Sequence, residues 1–390
     1  MKERPLLMIP GPVEFDPEVL RALGAPTTSH LDPDFIEVFG RSLERMRRIW
    51  KAPTGQPIIL AGSGTLAMDA AGANLVEPGD RALVLSTGVF GDRFADLLSR
   101  YGAQVTTLRS AAGETVDFEA VEQALREGSY KLMTATHVDT STAVRIDAQQ
   151  FGALGAEHRV LTLLDGVCSV AGEEIRQDEW GIDVVLTASQ KAIGVPPGLA
   201  LLVVGPRAQN AWRARHSKVA NYYVDWGKWL PIMEAYEARK PRYFGTPAVN
   251  LVRALDVSLG QILAEGMAAR VERHRRLGQA CRAAIRALGL RQIPTRDEHA
   301  ANTLTAPCLP EGIDGAALLL RTREAGAIFA GGLHPEIRTR YIRIGHMGAT
   351  TFGDLLSAIG ALEIGLSATG YACDRGAGVS AAQAERAQTR

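Results

Sequence analysis

The first two hundred residues alternate short apolar runs with longer amphipathic stretches. Apolar runs rich in branched side chains predict strands at about 58–60, 82–86, 105–108, 131–137, 160–164, 183–186 and 199–204. Most of these runs are separated by segments with apolar residues at helical spacing, such as 92–101 and 117–126. Strands that alternate with helices are typical of a mostly parallel, three-layer α/β sheet, so the predicted fold class is α/β.

The pattern changes after the last of these strands. Residues 206–247 are rich in aromatic side chains and are expected to be irregular, either inside the core or at a subunit contact. A long helical pattern from 249 into the 270s leads to a smaller α+β unit. We therefore divide the chain into an N-terminal arm (1–15), a large domain (16–260), a small C-terminal domain (261–368) and a mobile tail (369–390).

The composition of the chain limits the kinds of molecule that the protein is expected to bind. The chain has 390 residues, with 43 Lys and Arg against 43 Asp and Glu, so neither a nucleic acid nor a membrane surface is an expected partner. The four cysteines are far apart and form no CxxC pair, which favours reduced thiols and a cytoplasmic protein. No apolar run approaches the length of a transmembrane helix, and no residue pattern indicates a metal site.

Two polar residues end neighbouring apolar runs. Lys191 follows the run at 184–188, and Asp165 closes the run at 160–164. A lysine in this position is usually a loop residue, but it can also form a Schiff base with a cofactor aldehyde, above all that of pyridoxal 5′-phosphate (PLP). A PLP enzyme also needs an acid beside the pyridinium nitrogen. Two consecutive parallel strands could deliver both groups at their carboxyl ends.

A small-residue turn lies between the strand at 58–60 and the helix predicted over 66–75. Its residues Ser63, Gly64 and Thr65 could bind a phosphate through free N–H groups and hydroxyls, although the same turn is common between any strand and helix. Phe90 could lie against the cofactor ring, or simply belong to the core.

Several of these candidates share one location, because each follows a predicted strand. This group consists of Ser63, Phe90, Thr140, Asp165 and Lys191. Ligands of open α/β sheets bind outside the carboxyl ends of strands, so the shared placement favours one common site. In the smaller unit, Arg343 lies in an apolar strand, where it could bind a substrate carboxylate or form a structural salt bridge.

Several longer motifs, spread from Pro10-Gly11-Pro12 to about residue 348, resemble those of a known protein family. They read LAGSGTL, STGVFGDRFADLLSRYGAQV, THVDTSTAV, DGVCSV, DEWGIDVVLTASQKAIGVPPGL, PIMEAYEA and YIRIGHMG. These stretches resemble class V (fold type I) PLP-dependent aminotransferases of the alanine–glyoxylate and serine–glyoxylate group, with the fungal alanine–glyoxylate members as the best match. The resemblance implies a large PLP-binding domain followed by a smaller domain.

The resemblance also implies roles for individual residues. Lys191 would be the Schiff-base lysine, Asp165 the partner of the ring nitrogen and Arg343 the ligand of the substrate carboxylate. The residues implied to contact the cofactor are Ser63, Gly64, Thr65, Phe90, Thr140, Val167 and Gln190. Gly11 is implied at the substrate, while Tyr243 and Thr246 would reach the phosphate from the other subunit of a homodimer.

The implied reaction moves an amino group from L-alanine to glyoxylate and yields pyruvate and glycine. Many relatives have a tryptophan and a histidine where this chain has Phe90 and Thr65, which favours alanine over serine as donor. A serine–glyoxylate or broad-donor enzyme stays open as the alternative. The RIGHMG segment also occurs in a relative that uses pyridoxamine as amino donor.

Two alternatives change the class of protein. A cysteine desulfurase would carry a histidine where this chain has Gln190, and it would need a reactive loop cysteine, whereas Cys308 lies in an ordinary turn. A non-catalytic protein of the same fold would not need Lys191, Asp165 and Arg343 together.

Overall fold

The computed structural model describes residues 4–388, so the outermost residues of the predicted arm and tail lie outside the described part. The strands, in chain order, are β1 (Leu6–Leu7), β2 (Gln56–Gly62), β3 (Arg81–Ser86), β4 (Gln104–Arg109), β5 (Leu132–Thr136), β6 (Val138–Asp139), β7 (Val144–Arg145), β8 (Leu161–Asp165), β9 (Val184–Ala188), β10 (Gly198–Val204), β11 (Leu304–Thr305), β12 (Ala327–Ile328), β13 (Ala330–Gly331) and β14 (Ile342–Gly345).

Helices follow most strands of the first half. They are α1 (Pro17–Leu23), α2 (Pro33–Trp50), α3 (Gly64–Leu75), α4 (Val89–Arg100), α5 (Phe118–Glu127), α6 (Ala148–Glu157), α7 (Pro206–Arg213), α8 (Trp226–Glu237), α9 (Val249–Glu265), α10 (Met267–Ala287), α11 (Gly315–Glu324), α12 (Phe352–Ala368) and α13 (Ala377–Gln388). None of these helices combines the length and the apolar character needed to cross a bilayer.

A seven-stranded sheet forms the centre of the larger unit, in the order β2-β10-β9-β8-β5-β3-β4. β10 runs antiparallel to both of its neighbours, and the other strands of the sheet are parallel. The carboxyl ends of β2, β3, β5, β8 and β9 therefore lie at one edge. Every residue of β5, β8 and β9 is buried, as expected for strands covered on both faces. The predicted α/β class is confirmed.

The aromatic stretch 206–247 differs from its prediction, because it contains α7 and α8 instead of being irregular. Pro206 occupies the first turn of α7, where its missing N–H is not needed. The aromatic residues divide into two groups. Trp226 and Tyr236 are buried in the core, whereas Tyr222 and Tyr243 are 72% and 61% exposed.

A second apolar cluster belongs to the smaller unit and is built mainly on α10, α11, α12 and β14. Its sheet has the order β11-β14-β13. The N-terminal arm joins this unit, since β1 pairs in parallel with β12 and Met8 lies inside the cluster.

The single long helix expected from 249 into the 270s is two helices, because Gly266 interrupts it with a φ of +84°. The four-part division of the chain stays a prediction.

The mobility of the tail at 369–390 stays a prediction, although part of this segment forms α13 and contacts the smaller unit. The carboxylate of Glu363, which is 5% exposed, accepts hydrogen bonds from the N–H groups of Gly376, Gly378 and Val379 at 2.8, 2.9 and 3.2 Å. These bonds satisfy N–H groups at the start of α13 that have no partner inside the helix. Ala382 is fully buried in the second cluster.

A charge placed at Ala382 tests whether the tail is docked. Ala382→Asp would bury an unpaired carboxylate, so we expect the free energy of unfolding to fall by about 2 kcal/mol in chemical denaturation. Ala384→Asp places the same charge on the exposed side of α13 and should change stability by less than about 0.5 kcal/mol. Equal and small effects of both variants would restore the mobile tail that the sequence predicts.

Candidate active site

A cavity of about 180 Å³ opens at the carboxyl edge of the central sheet. Ten of the residues singled out from the sequence line it: Gly11, Ser63, Gly64, Thr65, Phe90, Thr140, Asp165, Val167, Gln190 and Lys191. They come from the arm and from the segments that follow β2, β3, β5, β8 and β9. The structure therefore brings these residues together. Phe90 lies in the first turn of α4 instead of in a loop.

One end of the cavity presents free hydrogen-bond donors. Ser63 is the N-cap of α3, but its side chain makes no capping hydrogen bond, and its carbonyl accepts from Ala67. The first N–H groups of α3, on Gly64 and Thr65, have no partner inside the helix. A Cβ at Gly64 would lie 2.8 Å from Val167 Cγ2, so this turn has no room for a larger residue. This arrangement suits an anion.

Asp165 ends β8 inside the protein and is 1% exposed. Its Oδ1 accepts a hydrogen bond from the Val167 N–H at 2.9 Å. Burial raises the pKa of Asp165 to about 6, and the Val167 N–H acts in the opposite direction. The nearby Asp139 carboxyl also raises this pKa, whereas Lys191 lowers it. A cation placed beside Asp165 would therefore be stabilised.

Lys191 is 8% exposed, and its Nζ donates a hydrogen bond to the Pro10 carbonyl. Burial lowers the pKa of this ammonium. Asp165 counteracts that effect, and the positive charge of Arg343 adds to it. Burial therefore shifts the equilibrium toward the neutral amine, which is the nucleophilic form of a lysine.

The arm crosses directly over this lysine. Gly11 has a φ of +107°, and a Cβ there would lie 2.5 Å from Lys191 Cδ and 2.8 Å from Cε. Both the backbone conformation and the contact require glycine. The Val13 N–H also binds the Gln190 carbonyl at 3.2 Å, so the arm is attached to the segment that carries Lys191.

Arg343 lies beside the cavity but is not among its lining residues. Its Nε binds the Gly331 carbonyl at 2.8 Å, and its Nη1 binds the Thr140 carbonyl at 3.2 Å. Its Nη2 has no hydrogen bond to any residue in the described range 4–388. Arg343 is half-buried, and burial lowers its pKa. A donor nitrogen is thus left for a ligand.

Tyr243 and Thr246 are exposed and do not line this chain's cavity. Their implied contact with a phosphate in another subunit stays a prediction.

The Gln190 Oε1 atom, by contrast, is buried beside the cavity and has no partner among the described residues.

Two residues of the site were missed in the sequence. Arg93 donates from Nη1 to Thr65 Oγ1 at 3.0 Å, and its guanidinium lies 4.8 Å from the centroid of the Phe90 ring. The Asp139 carboxylate accepts from the Phe90 N–H at 3.0 Å and from the Ser141 N–H at 2.8 Å. The three-residue spacing of Phe90 and Arg93 on one helix could have indicated their contact.

Comparison with known proteins identifies the family. The class V aminotransferase family model matches residues 18–347. Alanine–glyoxylate aminotransferase 1 of Saccharomyces cerevisiae is 40% identical over 357 residues, which are 88% of this chain and 92% of the yeast protein. The chain belongs to the class V aminotransferases. It is therefore an aminotransferase of a PLP-dependent family, as the sequence motifs imply.

Solved structures confirm the fold type. Ureidoglycine–glyoxylate aminotransferase from Bacillus subtilis superposes with a TM-score of 0.93 at 27% identity, and the match covers 99% of both chains. An alanine–glyoxylate aminotransferase from Nostoc has a TM-score of 0.88 at 33% identity, covering 94% of this chain and 96% of that one. The class V aminotransferase described here thus has the fold type I architecture of these enzymes.

Relatives of similar identity differ in the amino donor of their names. Serine–glyoxylate aminotransferase of Arabidopsis thaliana is 31% identical and covers 96% of this chain and 94% of its own length. Pyridoxamine–pyruvate transaminase of Mesorhizobium japonicum has the same identity and the same coverage. Membership of the class V family therefore leaves the donor to be argued from the site.

Gly11→Ala tests the contact between the arm and Lys191. We expect it to lower aminotransferase activity at least about tenfold, because the new methyl group displaces the Lys191 side chain. Gly79→Ala is the matched control, since Gly79 has a φ of +92° but nothing within 4 Å of its Cβ position. That variant should lose about 1 kcal/mol of stability and keep its activity. Equal activities of the two variants would contradict the contact.

Proposed function

We propose that this aminotransferase binds PLP in the cavity at the sheet edge and transfers an amino group from L-alanine to glyoxylate. The products would be pyruvate and glycine. The observation that carries the proposal is the convergence of a buried lysine, a buried aspartate and the donor-rich start of α3 on one cavity of about 180 Å³. The cofactor and each substrate have a complementary group in this arrangement.

The phosphate of the cofactor fits the start of α3. The free N–H groups of Gly64 and Thr65 and the hydroxyls of Ser63 and Thr65 face the cavity region as donors. The Oε1 atom of the half-buried Gln190 has no partner among residues 4–388, and the amide N–H groups of the same side chain could donate to a bound phosphate. Helix N-termini favour anions through unpaired N–H groups and the helix dipole.

The ring of the cofactor fits between Phe90 and Val167. Both side chains line the cavity, and the Asp139 carboxylate holds the Phe90 backbone in place. Asp165 would accept a hydrogen bond from the protonated ring nitrogen. Burial raises the pKa of Asp165 to about 6, and the positive charge of the ring nitrogen would lower that pKa again. Thr140, also on the cavity wall, would reach the ring hydroxyl.

Lys191 would hold the cofactor and act as the acid and base of the reaction. When bound, PLP supplies an aldehyde for the lysine and an electron sink for the donor's amino carbon. Burial lowers the pKa of Lys191, which favours its Nζ as the group that would take a proton from Cα of the amino acid. The Pro10 carbonyl orients that nitrogen.

The substrate carboxylate would bind Arg343 and the backbone at Gly11. Arg343 has one unpaired terminal nitrogen, and two carbonyls hold the rest of its guanidinium in a fixed orientation. A guanidinium that is oriented in advance binds a carboxylate with less loss of side-chain freedom. Both alanine and glyoxylate carry the carboxylate that this group requires.

The donor assignment rests on two supports. The yeast relative named for alanine is 40% identical, whereas the relatives named for serine and pyridoxamine are each 31% identical. Phe90 and Thr65 at the cofactor also favour alanine, as inferred from the sequence. A serine–glyoxylate or broad-donor activity is the second candidate. Cys308 does not line the cavity, and the cysteine that does, Cys168, is 2% exposed and packed against Thr303, unlike the mobile-loop cysteine that a desulfurase needs.

We also propose that the protein is a homodimer in which Tyr243 and Thr246 complete the partner's site. Tyr222 and Tyr243 are 72% and 61% exposed in the single chain, which is unusual for large side chains and typical of an interface.

We also propose that the protein is cytoplasmic. All four cysteines are free thiols, as is usual for proteins in a reducing compartment.

The absorbance of the purified protein tests the proposed reaction. We expect L-alanine without acceptor to abolish the band of the lysine-bound cofactor at the edge of the visible range, and glyoxylate to restore it. Lys191→Ala should abolish this cycle and lower turnover roughly 100- to 10,000-fold. If serine bleaches the band and alanine does not, the donor is serine. A protein that takes up no PLP contradicts the whole proposal.

Replacement of Arg343 tests the carboxylate site. Arg343→Gln removes a charge-assisted hydrogen bond, so KM for both alanine and glyoxylate should rise about 10- to 100-fold. Arg343→Lys should rescue only part of this loss, because an ammonium lacks the planar fork. Arg340→Gln is the control, since Arg340 is exposed nearby and, among residues 4–388, its side chain hydrogen-bonds only the Glu336 carbonyl. Unchanged KM values for Arg343→Gln would exclude this role.

A further inference from the structure

The first turns of α10 lie behind the cavity and hold a buried arginine. Arg270 is 7% exposed. Its Nε donates to the Ala171 carbonyl at 2.8 Å and its Nη2 to the Ala192 carbonyl at 2.7 Å. Its Nη1 forms an ion pair with Glu265 at 2.7 Å. All three nitrogens of this guanidinium are therefore occupied by the protein.

The two carbonyls belong to the segments that carry the proposed catalytic groups. Ala192 directly follows Lys191, and Ala171 lies six residues after Asp165. One rigid, planar group thus joins the exit of β8 to the exit of β9. Because its donors have a fixed geometry, the guanidinium sets the spacing of the two segments more strictly than a flexible ammonium could.

Neither segment is held by its own hydrogen bonds alone. In the turn after β9, the carbonyls of residues 190, 192 and 193 accept from Val13, Arg270 and Ser258, which lie in other parts of the chain. In the segment after β8, Ala171 has a φ of +65°, which is unfavourable for a residue with a Cβ. Both segments therefore receive contacts from outside in addition to their own hydrogen bonds, and Arg270 contributes one to each.

Arg273, on the next turn of α10, serves a different segment. It binds the carbonyls of Gly348 and Thr350 at 3.0 and 3.2 Å, and it shares Glu265 with Arg270. Gly348 follows Arg343 by five residues. The two arginines therefore share one counter-ion but contact different parts of the site.

We propose that Arg270 is a positioning residue that sets the relative placement of Lys191 and Asp165 around the cofactor. This inference rests on the proposed function, because it assigns Arg270 to the lysine and aspartate of that reaction. Arg270 is not among the residues that line the cavity in which the substrates would bind. Its loss should therefore slow the chemical steps and leave carboxylate binding to Arg343 intact.

The test compares Arg270→Lys and Arg270→Gln with the wild-type holoenzyme. We expect kcat to fall about 10- to 100-fold in Arg270→Gln, with KM for alanine changed less than about threefold. Arg270→Lys keeps the charge opposite Glu265 and should recover part of kcat. Arg273→Gln should raise KM for alanine more than Arg270→Gln does, because it removes contacts to the segment that follows Arg343. A fall in kcat is expected as well, since a Cβ at Gly348 would lie 3.6 Å from the Lys191 carbonyl oxygen.

A second measurement needs no catalysis. Hydrogen exchange of the full-length protein should be about tenfold faster at residues 189–195 and 168–173 in the Arg270 variants, with little change elsewhere. The pH midpoint of the cofactor absorbance should also move, because the distances from Lys191 to Asp165, Asp139, Cys168 and Arg343 would change. If Arg270→Gln does not fold, Arg270→Lys, which keeps a charge opposite Glu265 but lacks the planar fork, takes its place, and a smaller fall in kcat with unchanged KM is then expected.

Arg282→Gln is the matched control for a purely structural role. Arg282 is 5% exposed on the same helix and binds the Ala301 carbonyl at 3.0 Å, outside the cavity. Its replacement should lower stability and leave kcat, KM and the absorbance midpoint unchanged. If the Arg270 variants behave like Arg282→Gln, the proposal is overturned. If wild type shows no absorbance cycle with any donor, the proposed function fails, while local hydrogen exchange still decides whether Arg270 holds the two segments.

Discussion

The burial of one amine is the constraint on which the rest of the structure depends. Lys191 is 8% exposed, and within residues 4–388 no carboxylate lies close enough to form an ion pair with it. The Pro10 carbonyl accepts its hydrogen bond, and burial lowers its pKa. A charged lysine in such a place is costly for folding, and burial favours its neutral, nucleophilic form, so its reactivity depends on surrounding elements that hold it rigidly.

The central sheet provides that rigidity. β8 and β9 are buried along their whole length, and they end at the same edge with Asp165 and, a few residues later, Lys191. Charged groups at this edge act on one another, since the Asp139 carboxyl raises the pKa of Asp165 and Lys191 lowers it. Asp139 also accepts the Phe90 N–H, which connects the exit of β5 to the residue proposed to lie on the cofactor ring.

The arm and the smaller unit connect the lysine to the proposed carboxylate ligand. β1 pairs with β12, the Gly345 N–H binds the Met8 carbonyl at 2.7 Å, and the Val13 N–H binds the Gln190 carbonyl. The same short arm therefore contacts the strand of Arg343 at one end and the segment of Lys191 at the other. From the opposite side, Arg270 and Arg273 contact these segments through α10. Both routes therefore link the segment of Arg343 to the segment of Lys191 by direct contacts.

The sequence by itself determined the α/β class, most strands of the central sheet and the cluster at its carboxyl edge. The periodicity of strands and helices can be read from local sequence. Parallel strands also end at the same edge of a sheet. The common location of Ser63, Asp165 and Lys191 could therefore be predicted from the pattern alone. Gly11, Val167 and Gln190 needed the longer family motifs, and the structure then placed them on the cavity.

Only the tertiary structure decided the contacts between distant segments. Glu363 orders α13 by accepting N–H groups from a tail that looks mobile in sequence. Arg270 joins two turns that lie about 80 and 100 residues away. Periodicity predicts which face of a helix or strand is apolar. These hydrogen bonds depend instead on how helices and strands from distant parts of the chain pack together, and a local sequence pattern does not determine that packing.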